Sequence, residues 1–207
     1  MKNKSLGICL LVLVALVITA VSANNWASRA DDSTNEPTLQ AADTTLAVAL
    51  SLDDMVSQSD VIAIGNCTET QSVWVDNTLV TLATVTVNET LKGDEATTNL
   101  TVALPGGVDA NRKFPVAMSY PGAPRMTPGE DVFLFLTNSS EVAGSYTVAG
   151  FSQGKFSIVK DEDGEPMVSR DLRQTSLQGN NGVRRGANNL TPLSSLKNEV
   201  KRKLNRQ

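Results

Sequence analysis

The chain has 207 residues, with 18 Lys+Arg against 22 Asp+Glu, no His and two Cys. Without His, neither a Ser-His-Asp nor a Cys-His nucleophile pair can form, nor a His-ligated zinc site. The apolar fraction is 41%, enough for a real core, but only 4% is aromatic, so aliphatic side chains must fill it.

Lys2 and Lys4 precede an apolar run of 16 residues, Leu6 to Val21, which ends in the small residues of Val21-Ser22-Ala23. Charged start, apolar stretch and small-residue site are the three parts of an export signal. A spanning helix needs about 20 apolar residues, so this run is short for an anchor. Residues 1–23 therefore read as a signal peptide, and the mature chain as exported: secreted, periplasmic or on the cell surface. A leader left uncleaved would give a loose membrane association instead. Cys9 falls inside the leader, which leaves Cys67 as the lone thiol. Its ordinary reading is a small buried side chain in a strand. The sharper one is an intermolecular bridge or a reactive thiol.

Residues 24–49 are rich in Ser, Thr, Asn, Asp and Ala without a periodic apolar face and read as a flexible spacer. Ser51 with Asp54 three positions on predicts a helix cap and one or two turns to Ser59. Val61 to Gly65 predicts a buried strand running on toward Val75, with a turn at Asp76-Asn77. Ala83, Val85, Val87 and Leu91 alternate with Thr84, Thr86, Asn88 and Thr90, the pattern of a half-buried strand. Leu100, Val102 and Leu104 repeat it. The continuous run Val132 to Leu136 predicts a central strand covered on both faces. Tyr146 to Phe151, Lys155 to Val159 and Met167-Val168 complete the set.

Six or seven short strands over residues 50–170 with almost no helix predict a mostly β domain, a barrel or a sandwich. Residues 171–207 form a basic tail. Within it Leu193, Leu196, Val200 and Leu204 make one narrow helical stripe behind Thr191-Pro192. Charge is divided: residues 170–207 carry a net +7 and residues 24–169 a net −13. That split invites the tail onto its own domain, or onto an anionic surface.

Several segments occur together in a telling order. They are Ser51-Leu52-Asp53-Asp54, Ser59 to Gly65, Leu91-Lys92-Gly93, Pro105-Gly106-Gly107, Pro128-Gly129-Glu130 before Val132 to Leu136, and Gly150 to Phe156. This order resembles a family of exported prokaryotic proteins of unknown function. That family is in turn similar to netrin-like and tissue-inhibitor-of-metalloproteinase domains. The resemblance covers roughly residues 50–160. It implies an OB-like small antiparallel barrel of five to seven short strands, with a short N-terminal helix and a C-terminal amphipathic helix. The inhibitors chelate a zinc through an N-terminal Cys. Cys67 lies inside a predicted strand, so only the fold carries over.

Few constellations carry chemistry. Asp161 to Glu165 has oxygen ligands and a Gly but not the spacing of a calcium loop, and reads as a solvated turn. Ser152 and Lys155 match Ser-x-x-Lys, but i and i+3 on a strand face opposite ways. No catalytic residue, metal site or cofactor is assigned. Asn66, Asn88, Asn99, Asn138 and Asn189 each head an Asn-x-Ser/Thr triplet. An acidic barrel argues against nucleic acid.

The connection from Pro105 to Glu130 is 26 residues long with five Pro and four Gly. Loops of this length are usually functional or disordered. Phe114, Met118, Tyr120, Arg125 and Met126 within it are the types that interface centres favour. They read as a candidate partner-binding loop, or else as apolar groups plugging one barrel end. The expected function is a non-enzymatic, inhibitor-like module for an extracellular or envelope protein. The alternative is a structural component of the cell envelope or surface.

Overall fold

The computed structural model describes residues 44–206. The expected signal peptide and most of the expected spacer lie outside the described residues. Thr45–Val48, at the end of that spacer, is a strand, β1. The helix α1 (Leu52–Gln58) starts where the cap predicts: Ser51 Oγ accepts from Asp54 N–H at 3.1 Å, and Ser51 N–H donates to the Asp54 carboxylate at 2.9 Å. The strands β2 (Val61–Val75) and β3 (Thr78–Lys92) form a hairpin of 15 residues a side. It turns at Asp76-Asn77, where Asp76 takes φ 52°.

Next come β4 (Asn99–Pro105), β5 (Gly107–Asp109), β6 (Val116–Met118), β7 (Asp131–Asn138) and β8 (Tyr146–Val148). After them are β9 (Lys155–Lys160), β10 (Pro166–Asp171), β11 (Thr175–Gly179), β12 (Gly182–Arg185) and β13 (Asn188–Pro192). The chain ends in α2 (Leu193–Leu204). The protein is thus mostly β, as expected, with two helices among the described residues.

One sheet runs β13-β10-β9-β7-β2-β3-β4-β8. An added antiparallel pairing of β7 with β8 closes β7, β2, β3, β4 and β8 into a ring. Curvature comes from irregularities in β2 at Ile62/Ala63, Ile64/Gly65 and Cys67/Glu69. Each bulge bends the strand and raises its twist. At Gly65 the two strands come so close that a Cβ would strike the Thr86 carbonyl oxygen.

The run Val132 to Leu136 divides between two cores. Val132, Leu134 and Leu136 fill the ring with Ala63, Cys67, Val85, Leu100, Val102 and Val148. Phe133 and Phe135 point the other way, under α1 and α2, with Met55, Val56, Ile62, Phe156, Val168, Leu196 and Val200. A strand buried on both faces has no polar alternation to show. The three phenylalanines of the second core touch ring to ring, with centroids 5.3 to 6.3 Å apart.

The tail is more than a helix. Residues 175–192 supply three strands: β13 extends the main sheet beside β10, while β11 bridges β1 and β12 in a sheet of its own. No unit boundary falls near residue 170. The helix starts at Leu193, with Pro192 as its cap residue rather than its first turn, and no side chain caps it. Its stripe docks on the domain, burying Leu196 and Val200. Charge follows: Lys197 and Lys201 reach Glu89 at 2.5 and 3.3 Å, and Lys203 reaches Asp53 at 2.7 Å.

Candidate functional site

The connection from Pro105 to Glu130 is held down along its length. Gly106 turns the chain off β4 at φ +90°, a conformation that favours glycine, and donates to Leu79 O at 3.0 Å. The β5–β6 hairpin then lies against β2 and β3. Val108 N–H donates to Ser72 Oγ at 3.0 Å, and Thr81 Oγ1 to Gly106 O at 2.8 Å. Trp74 Nε1 donates to Asp109 at 2.8 Å, and Arg112 joins the same carboxylate at 3.0 Å while lying 4.5 Å over the Trp74 ring. The hydrogen bond from Trp74, with the backbone and Arg112 bonds, holds the Asp109 carboxyl below its usual range. At the far end Gly129 N–H donates to Cys67 O at 2.7 Å, and Cys67 N–H to Glu130 O at 2.8 Å. The long loop is therefore a pinned structure with its own hairpin.

The five candidate residues separate. Met118, Tyr120, Arg125 and Met126 line one groove of about 320 Å³, between the hairpin and the ends of β3 and β4. Tyr120 is 42% exposed and Arg125 is exposed, Met118 is half-buried, and Met126 is 6% exposed and belongs to the ring core. Met126 thus plugs the ring, while Tyr120 faces out. Phe114 is not part of the groove. It stands at the hairpin tip, 75% exposed, with Lys113 Nζ 5.6 Å over its ring. Val108 and Trp74 were not singled out from sequence. Val108 is 58% exposed on the same hairpin. A Trp two residues before the Asp76-Asn77 turn was the available signal for the frame beneath it.

Behind Arg125 lies a polar cavity of about 350 Å³, lined by Ser152, Lys155, Ser157, Ser169 and Asp171 among others. Ser152 and Lys155 do not meet: Ser152 Oγ lies 3.4 Å from Thr175 Oγ1. Lys155 instead pairs with Glu130 and donates to Ser157 Oγ at 2.7 Å, and Ser157 donates to Glu130 at 2.6 Å. Residues i and i+2 share a strand face, which is why Ser157 and not Ser152 is the neighbour. An ion-paired ammonium has no lone pair to take a serine proton.

Burial alone would raise the Glu130 carboxyl, but the bonds from Lys155 and Ser157 outweigh it and leave it below the ordinary value of 4.5. The unfolded chain then binds the proton more tightly. Glu130's contribution is whole above about pH 4.5 and is lost as pH falls through the lower folded value. Glu130→Gln should therefore cost about 1–3 kcal/mol at neutral pH, and the gap to wild type should shrink toward pH 3. Urea titrations across that range check it.

Cys67 is free and fully buried, with its thiol pushed up by burial and then by the Glu130 charge. This is the ordinary reading of the residue. Asp161 accepts from the Asp163 and Glu165 N–H groups at 3.0 and 2.8 Å, which makes the acidic cluster a turn. Of the Asn-x-Ser/Thr sites, Asn88, Asn99, Asn138 and Asn189 are exposed, while Asn66 is tied to Asp131 at 2.8 Å.

Comparison with protein-family models, with curated proteins and with solved structures finds no match to this chain.

Proposed function

We propose that the chain is an exported, non-enzymatic binding module that presents the β5–β6 hairpin and the groove behind it to an extracellular or envelope protein. The observation that carries this is the exposure of Phe114, Val108 and Tyr120 on a connection pinned to β2 and β3 at several points. Large side chains held out rigidly lose little entropy on binding, and a few such anchors dominate interface energy. Arg112, Lys113 and Arg125 add basic groups to a domain that is acidic as a whole. An inhibitor-like role for a hydrolase is one form of this reading.

The ring supports an OB-type barrel: its strands close in the order first, second, third, fifth, fourth, with the third and fifth parallel at Val102 and Tyr146. A distant netrin-like relationship is a proposal about fold only, because a buried Cys67 offers no chelating thiol. Export rests on the three-part pattern of residues 1–23. A structural envelope role leans on a free basic tail, and here α2 spends Lys197, Lys201 and Lys203 on its own domain.

Affinity capture from an extracellular or envelope fraction tests the reading. The full domain should recover one stoichiometric protein, and a Phe114→Ser/Tyr120→Ser double variant should lose it. Equal recovery by both would reject the loop as the binding surface.

A further inference from the structure

A second cavity, of about 230 Å³, lies on the opposite core, between α1, α2 and the outer strands of the main sheet. Leu52, Met55, Phe156 and Leu196 form the larger, apolar part of its walls, and Thr191 and Ser195 add hydroxyls. Two charged side chains share it, Arg170 from β10 and Glu199 from α2. Both are half-buried. No ion pair joins either of them to the other or to any described residue. Half-buried charges are normally paired, because desolvation is costly.

Arg170 is fixed in place. Its guanidinium lies 4.9 Å over the Phe156 ring and Nη1 donates to Gln153 O at 3.0 Å. Nε and Nη2 donate to no described residue, so two donors of the planar fork stay available. Burial, and behind it the charge of Arg184, makes the cationic form costlier than usual. Glu199 also lines the cavity and makes no ion pair among the described residues. Lys203, one turn further on α2, is already held by Asp53.

We propose that this slot binds a free apolar α-amino acid, its carboxylate on Arg170, its ammonium on Glu199 and its side chain against Met55, Phe156 and Leu196. A cation and an anion kept apart across an apolar slot match a zwitterion with an apolar side chain. Arginine's fork is suited to a carboxylate. The size also fits, since pockets for larger organic ligands start at about 300 Å³. This site is separate from the β5–β6 hairpin and does not depend on the binding role proposed for it.

L-leucine is the probe, titrated by calorimetry into the full chain beside 4-methylpentanoate, which lacks the ammonium, and 3-methylbutylamine, which lacks the carboxylate. Leucine should bind roughly ten- to a hundred-fold more tightly than either analogue, the range expected for one charged hydrogen bond. Glu199→Gln should bring leucine down to the level of 4-methylpentanoate and leave the latter unchanged. Arg170→Gln should abolish the gain from the carboxylate. If Arg170→Gln melts early because it loses the Phe156 contact, Glu199→Gln still decides, since its side chain makes no ion pair among the described residues. The proposal is overturned if leucine gives no heat at millimolar concentration, or binds no better than both analogues. It is equally overturned if Glu199→Gln leaves the leucine affinity unchanged, or if a mutant cycle without ligand finds Arg170 and Glu199 already coupled to each other.

Discussion

Leu136→Asp should remove the folded state. Leu136 is fully buried and sits at the seam where the ring closes, facing Val61 on β2 and Val148 on β8. An aspartate there would have apolar neighbours on both sides and no cation to pair with. The neighbouring Asp60, whose N–H donates to Leu136 O at 2.8 Å, is an acidic residue like the one introduced. A buried, unpaired carboxylate costs several kcal/mol. Domains of this kind have only about 5–15 kcal/mol in total. Val159→Asp is the control. Val159 is equally apolar in sequence but 40% exposed on β9, so the change should stay within about 0.5 kcal/mol. Circular dichroism and thermal melts of the two variants check the pair. A folded Leu136→Asp with unchanged melting would mean that β7 does not close the ring.

Met126→Ser and Tyr120→Ser should behave oppositely, although the residues are six apart in one connection. Met126 packs in the ring interior with Leu104 and Leu134. Its truncation should cost about 2–5 kcal/mol through lost burial and the cavity left behind. Tyr120 is 42% exposed, and its structural contribution is a carbonyl that accepts from Ala123 N–H at 3.1 Å. Serine keeps that carbonyl, so stability should hold within about 0.5 kcal/mol. Partner recovery should fall with Tyr120→Ser while the melt does not move. Denaturant titration of both proteins reads the difference. Equal, small losses would remove Met126 from the core and reopen the whole loop as mobile surface.

The elements legible in sequence share a physical trait: their signal is local. The alternation along β3, the apolar run of β7, the Ser51–Asp54 box and the stripe of α2 each sit within one element. Neither Ser176 nor Val183 announces a strand, because β1, β11 and β12 are held by one another across the chain, Thr45 beside Thr175. The short sequences of β11 and β12 are largely polar and show no period. The ring's closure was equally hidden, since β4 meets β8 through the single pair Val102 and Tyr146.

The candidate site was legible as a segment and not as a surface. Met126 and Tyr120 are both interface types, and in an irregular connection no periodicity tells which of them turns inward. Arg125 was found for its type, but its place between a groove and a polar cavity depends on Gly122 and Gln174 meeting from distant segments. That Ser152 and Lys155 do not act as a pair could be read locally, although Ser152 lies in the turn before β9 and not on a strand. That Lys155 would be taken by Glu130 could not, because the two are 25 residues apart in sequence.

The central claim is that the β5–β6 hairpin is the contact surface. Placing a photo-activated cross-linking side chain at position 114, in the full chain expressed in its own cells, tests this directly. Illumination should give one discrete adduct, and the same group at position 163, on the Asp161–Glu165 turn, should give none. An adduct at both positions, or at 163 alone, would contradict a hairpin-centred interface.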